Sequence, residues 1–256
     1  MNQELKSITY PWMQQFSQVV AESKAMGAAV VLAGAAGSGK SHILTMESNV
    51  PDEQGVFPRL IRMQAQPSVI SHLHYLVDEI TPWTLPKDWR MYSMGAMIKL
   101  LARRLRHNNV SQILLTGCER VDHQFYDAIF DVMRESRSHG HRWGLVLAGR
   151  GKLSEFELQT TYHRSSIRQY VQVPELVGGD VLSAMEQWCV GGKELAERSE
   201  AGVEEAVDMT EEILKGNGAN IGMLRLWAEI KNTHFPESAF TPKLVADVFG
   251  ALRSTQ

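Results

Sequence analysis

Cysteine is nearly missing from this sequence: of 256 residues only Cys118 and Cys189 carry a thiol, far apart and outside any paired metal-ligand spacing. That excludes a disulfide framework and offers no zinc site; free thiols fit a reducing cytoplasm, the expected location. An excess of one charge is missing too. Lys and Arg number 26 against 29 Asp and Glu, a net charge of −3. No basic field covers the whole chain, so any nucleic-acid surface has to be local. No apolar run approaches the length that crosses a bilayer, and residues 1–10 lack the basic-then-apolar order of a secretion signal; no membrane partner is expected. Internal repeats and low-complexity tracts are absent. The pairs His72/His74 and His139/His141 have no Cys or acid beside them at metal spacing, which reads them as surface histidines.

What is present is a globular composition, 44% hydrophobic and 21% charged. The length suits one large domain or a domain with a smaller companion, and it can bury a core without staples. Apolar spacing predicts a leading helix over residues 12–24, through Trp12, Phe16, Val19 and Val20. Residues 28–33 (AAVVLA) form an apolar run of strand length, followed by a glycine-rich loop and a helix over 42–46. Further strands are predicted at 58–63, 112–115, 143–148 and 169–173, with helices at 67–80, 93–106 and 124–138 between them and a proline-broken loop at 81–90. After Pro174 only helical patterns remain, at 177–189, 203–215, 221–231 and 242–252. Alternating strands and helices predict an α/β class fold: a five-stranded parallel sheet sandwiched by helices over residues 1–174, then a small all-helical domain over 175–256.

Gly34-Ala35-Ala36-Gly37-Ser38-Gly39-Lys40-Ser41 matches G-x-x-x-x-G-K-[ST] in full, between an apolar strand and a helix. Glycines let main-chain N–H groups wrap phosphates with no side chain in the way, and the following helix turns its positive end to the anion. Lys40 is placed to reach the β- and γ-phosphates, and the Ser41 hydroxyl to ligate Mg²⁺. We expect a nucleoside triphosphate here. No guanine-reading Asn-Lys-x-Asp stretch is present, which favours ATP.

A hydrolysing site of this kind also needs a second strand ending in acids that hold Mg²⁺ and polarise water. The strand Ile113-Leu114-Leu115 runs into Thr116-Gly117-Cys118-Glu119-Arg120, so those positions fall on Thr116 and Gly117. Thr116 can hydrogen-bond a metal-bound water but brings no charge. Glu119, three residues on, is either a substitute acid or a solvated loop residue, with Asp122 a weaker candidate. Arg150, after the fourth strand, either contacts phosphate or is a surface charge. Loss of a water-activating group removes orders of magnitude in rate, so hydrolysis is expected to be slow or absent.

LAGAAGSGKS, PRLIRMQAQPSV, QILLTGCERV, GLVLAGRGKL and NIGMLRLW, in this order, resemble the AAA+ ATPases that regulate DNA transposition, the TniB/TnsC type, with IstB and MuB proteins more distant. The likeness runs from about Trp12 to Phe249, and its specific motif is the first. It implies an AAA+ core with a helical lid, self-assembly into an ATP-dependent ring or filament on duplex DNA, and a link between a target-site selector and a transposase. The family's acids fall on Thr116 and Gly117, and its nucleotide-sensing lid arginine on Met223, beside Arg225. An arginine acting across the subunit interface would be Arg164, with Arg168 second. By the same resemblance the basic helix carrying Lys99, Arg103, Arg104, Arg106 and His107 would face DNA, with Lys152 a further candidate. The same cations also suit a solvated helix face near a negative helix end. DNA contacts, if made there, would be to the backbone and salt-sensitive. An active ATPase motor using Glu119, and an adaptor holding nucleotide structurally, are the alternatives.

Overall fold

The structure, a computed structural model, describes residues 10–80, 92–150, 166–198, 202–216 and 221–254. The chain divides into two compact units. One comprises Met13–Gly34 and the described part of Lys40–Val173; the other the described part of Pro174–Gln256 with residues 10–12 and Ala35–Gly39.

The first unit is built on five parallel strands: β1 (Ala29–Ala33), β2 (Arg59–Arg62), β3 (Gln112–Thr116), β4 (Gly144–Gly149) and β5 (Ile167–Gln172), in spatial order β2-β3-β4-β1-β5. Every residue of β1 and β4 is buried, as is β3 up to Leu115, whereas β2 and β5 at the edges are largely exposed. Continuous aliphatic runs thus occupy the strands covered on both faces, and mixed sequences the rims. The helices are α1 (Pro11–Met26), α2 (Lys40–Ser48), α3 (Val69–Ile80), α4 (Met94–His107) and α5 (His123–Ser138). Ser93 starts α4 by accepting Ala96 N–H at 3.3 Å, and Asp122 starts α5 by accepting Gln124 N–H at 2.8 Å.

One hydrophobic layer joins Ala29, Val31, Ile113, Leu115, Leu145 and Leu147 to Leu73, Leu76, Leu101, Leu105, Phe125 and Ile129 from α3, α4 and α5. Val30, Leu32, Leu114 and Val146 point to the opposite face and are equally buried.

Several side chains depart from expectation. In α1 the buried stripe is Met13, Phe16, Val20 and Ser23, so Trp12 and Val19 flank it. In α4, Met97, Leu101, Ala102 and Leu105 are buried, and Met94 and Ile98, partly covered, pack against the same layer. His72 is not a surface histidine: it is 2% exposed, its ring 5.4 Å from that of Phe125 and its Nδ1 3.1 Å from the Ser68 carbonyl oxygen. The loop expected at 81–90 lies outside the described residues.

The second unit contains α6 (Gly178–Trp188), α7 (Gly192–Arg198), α8 (Val203–Gly216), α9 (Ile221–His234) and α10 (Pro242–Ser254). Val181, Met185, Trp188, Leu224, Trp227, Phe240 and Val248 form its core. Lys231 is wholly buried there; its Nζ donates to the Pro236 carbonyl at 2.5 Å and lies 5.7 Å from the Phe240 ring centre. Among the described residues the fold is a five-stranded parallel sheet between helices, followed along the chain by an all-helical unit.

Candidate functional site

Parallel pairing brings the carboxyl ends of the central strands to one edge of the sheet. Ala33 pairs with Gly149 and Thr116 with Ala148, so the loops after β1, β3 and β4 leave side by side. Crevices at such strand ends are where α/β sheets take ligands.

The loop after β1 holds the glycine pattern. Gly37 and Gly39 have φ of 72° and 89°, in the left-handed region that side chains with a Cβ avoid. Ser38 N–H closes a turn on the Ala35 carbonyl at 3.3 Å, and Ser38 is buried while Ala35, Ala36 and Gly37 are exposed. Lys40 opens α2 and donates from Nζ to the Gly34 carbonyl at 2.8 Å, across the mouth of the loop. Burial lowers the Lys40 pKa; Glu119 opposes that shift and Arg150 reinforces it. Ser41, in the first turn of α2, is exposed.

The end of β3 carries no carboxylate. Thr116 is partly covered and its carbonyl accepts Met63 N–H at 2.8 Å. Gly117 has φ 73° and ψ 27° and starts a single 3₁₀ turn, Cys118–Arg120. A Cβ on Gly117 would sit 3.2 Å from the Met63 carbonyl oxygen. The position thus has a backbone made for glycine as well as lacking an acid. Cys118 is buried and its thiol is pushed up by burial, which removes it as a nucleophile.

Glu119 returns to the site from the 3₁₀ turn. Its Oε2 accepts the main-chain N–H of Arg150 at 3.3 Å, and its Oε1 is 3.9 Å from Arg150 Nε. Lys40, Glu119 and Arg150 therefore form one electrostatic group, two cations about one carboxylate. The sequence offered Glu119 and Arg150 separately; nothing in it announced that they pair.

The arrangement fits ATP with Mg²⁺ in its donor chemistry. The loop offers N–H groups, the positive end of α2 and a lysine, and the Ser41 hydroxyl would ligate the ion with a water held by Thr116. No cluster of three or more His, Cys, Asp or Glu occurs among the described residues.

Arg164 and Lys152 lie outside the described residues. Arg168, on β5, is half exposed with Nη2 3.8 Å from Glu22 Oε2. In the helical unit Arg225 pairs along α9 with Glu229 at 3.5 Å, and Gly222 N–H, two residues into α9, donates to the Gly37 carbonyl at 3.1 Å. Lys99 and Arg103 are exposed on α4, and Arg104 is partly covered.

No family model and no curated protein matches the sequence. Solved structures do resemble the fold. Cdc6p from Pyrobaculum aerophilum superposes with a TM-score of 0.66 at 12% identity, over 98% of this chain and 69% of that one. The Aeropyrum pernix ORC2 protein, in its ADPNP–ADP complexes, gives 0.63 at 13% identity, over 98% and 71%. Drosophila ORC bound to DNA gives 0.55 at 13%, over 94% and 65%. At these identities the likeness establishes a shared fold.

Proposed function

We propose that the chain is an ATP-binding AAA+ regulator of DNA transposition. ATP with Mg²⁺ drives its self-assembly into a ring or filament on duplex DNA, and the assembly links a target-site selector to a transposase. Hydrolysis is weak or absent. The observation that carries this reading is the combination at one sheet edge of a complete phosphate loop with a strand end, Thr116-Gly117, that bears no acid. Binding machinery is kept and water-activating machinery is not, which suits a switch that holds nucleotide rather than turning it over.

Support for the DNA half comes from the ORC structure of the same fold, which was solved on DNA, and from the exposed cations Lys99, Arg103 and Arg106 on one face of α4. The transposase link rests on the motif resemblance. Arg164 is the candidate for completing a neighbour's site.

One observation favours a second reading, an active ATPase. Glu119 lies close enough to Lys40 to oppose the lowering of its pKa, so it stands where a water-polarising acid would be useful. Phosphate release by the wild type and by Glu119→Gln decides between them. Steady release lost in the variant selects the ATPase; background release in both selects the switch.

A further inference from the structure

Between α4 and α5, a pocket of about 200 Å³ is lined by Lys99, Ala102, Arg103 and Arg106 from one helix and Glu135, Ser136 and His139 from the other. Lys99, Arg103 and Arg106 are spaced four and three residues apart, so they share one helical face, while Arg104 turns away from it. α4 ends at His107 before β3 begins, and α5 ends at Ser138 before β4 begins. The last turns of both helices therefore lie at the amino edge of the parallel sheet, opposite the phosphate loop. This is a site separate from the nucleotide site.

Several features make the pocket receptive to an anion. None of its three α4 cations is within ion-pairing distance of a carboxylate among the described residues. The acid in the wall among the described residues, Glu135, has its Oε1 3.9 Å from His139 Nδ1 and its carbonyl 2.9 Å from the same nitrogen. With Nδ1–H donated to the Glu135 carbonyl, Nε2 has a proton to offer an anion only when the ring is the imidazolium. Ser136 Oγ is buried without a hydrogen-bond partner. Two carbonyls in the last turns are occupied: Arg104 O accepts Asn108 N–H at 3.0 Å and Asn108 Nδ2 at 2.8 Å, and Ser136 O accepts His139 and His141 N–H. The volume is several times the ~30 Å³ share of one water, room for a phosphate group with a little hydration.

We infer that the α4–α5 pocket is a phosphate-ester seat, held by Lys99, Arg103, Arg106 and His139, that grips one backbone phosphate of duplex DNA per protomer. Arginine suits the oxygens through its planar fork and lysine as a point charge. The inference deepens the DNA-assembly reading and rests on it for the source of the phosphate.

The test measures binding of the full chain with ATP and Mg²⁺ to a fluorescent duplex across a salt series. Arg104→Gln serves as a control of equal charge change on the same helix. The single variants Lys99→Gln, Arg103→Gln and Arg106→Gln should each weaken binding by roughly threefold to tenfold, and the triple variant should lower the salt slope by about one per protomer. Arg104→Gln should keep the slope. A second arm titrates inorganic phosphate and follows the amide resonances of α4 and α5, with no DNA or ATP present. Shifts at residues 99, 103, 106 and 139, lost in Arg103→Gln, are expected. Wild-type slope in the triple variant, or an equal loss in Arg104→Gln, overturns the DNA assignment. Absence of phosphate shifts overturns the seat itself. If the wild type fails to bind duplex while the shifts persist, the assembly reading falls and the seat stands as a site for a free phosphate ester.

Discussion

Glu119 and Arg150 are 31 residues apart in sequence, yet the Arg150 main-chain N–H donates to Glu119 Oε2 at 3.3 Å. The parallel pairing of β3 with β4 creates this neighbourhood, and Lys40 at the head of α2 shares it. On the nucleotide-binding reading proposed above, this group sets the charge that a triphosphate would meet.

Neutralising the acid should help the anion. Glu119→Gln removes the carboxylate that faces Lys40 and Arg150 among the described residues, so ATP affinity should rise several-fold at low salt. Titration with a fluorescent ATP analogue reads this directly. Weaker binding would instead mean that Glu119 supports Mg²⁺.

Lys40→Ala removes the cation that bridges the loop mouth. It should abolish measurable ATP binding while leaving the far-UV circular dichroism spectrum unchanged, because the Nζ contact to Gly34 joins only local backbone. Retained binding would place the nucleotide elsewhere.

The two positions that lack acids should respond differently when acids are installed. Thr116 lies in regular strand, so Thr116→Asp should fold normally and raise phosphate release above wild type. Gly117→Asp forces a side chain into φ 73° beside the Met63 carbonyl. That costs about 1 kcal/mol or more, which for a chain of this size lowers Tm by roughly 2–4 °C. Calorimetry and phosphate release on both variants check the contrast. A Gly117→Asp protein as stable as wild type would show that this backbone is not reserved for glycine.

Acid should weaken the fold before it protonates the carboxylates. Burial lowers the His72 pKa against the upward pull of the Ser68 and Gln64 carbonyls and of Asp122. Burial lowers that of His141 too, with Val110 opposing and Arg106 reinforcing the shift. The unfolded chain takes up these protons near 6.5 and the folded chain does not, so stability falls as pH drops through that value. Urea unfolding between pH 7.5 and 5.5 should show this slope, flattened in His72→Gln and again with His141→Gln. An unchanged slope in the double variant would contradict it.

The strands were legible because β1, β3 and β4 are aliphatic runs, and the turn after β1 because its glycines, Gly37 and Gly39, take the positive φ that their spacing suggested. His72 was misread from its residue type, although it falls on the buried stripe with Val69, Leu73 and Leu76. The short helix α7 was not foreseen: two glycines precede its body and Leu195 is its main buried anchor. Gly117 read as a lost acid, whereas its backbone conformation is visible only in three dimensions. The Glu119–Arg150 pair and the α4–α5 pocket depend on register and helix packing, which local sequence does not encode.

The central claim is a nucleotide-held switch on DNA, and sedimentation with duplex DNA, with and without ATP and Mg²⁺, tests it most directly when phosphate release is read in the same tubes. Large ATP-dependent complexes with background phosphate release are the predicted result. A small species that releases phosphate briskly would contradict the account and identify an ordinary ATPase.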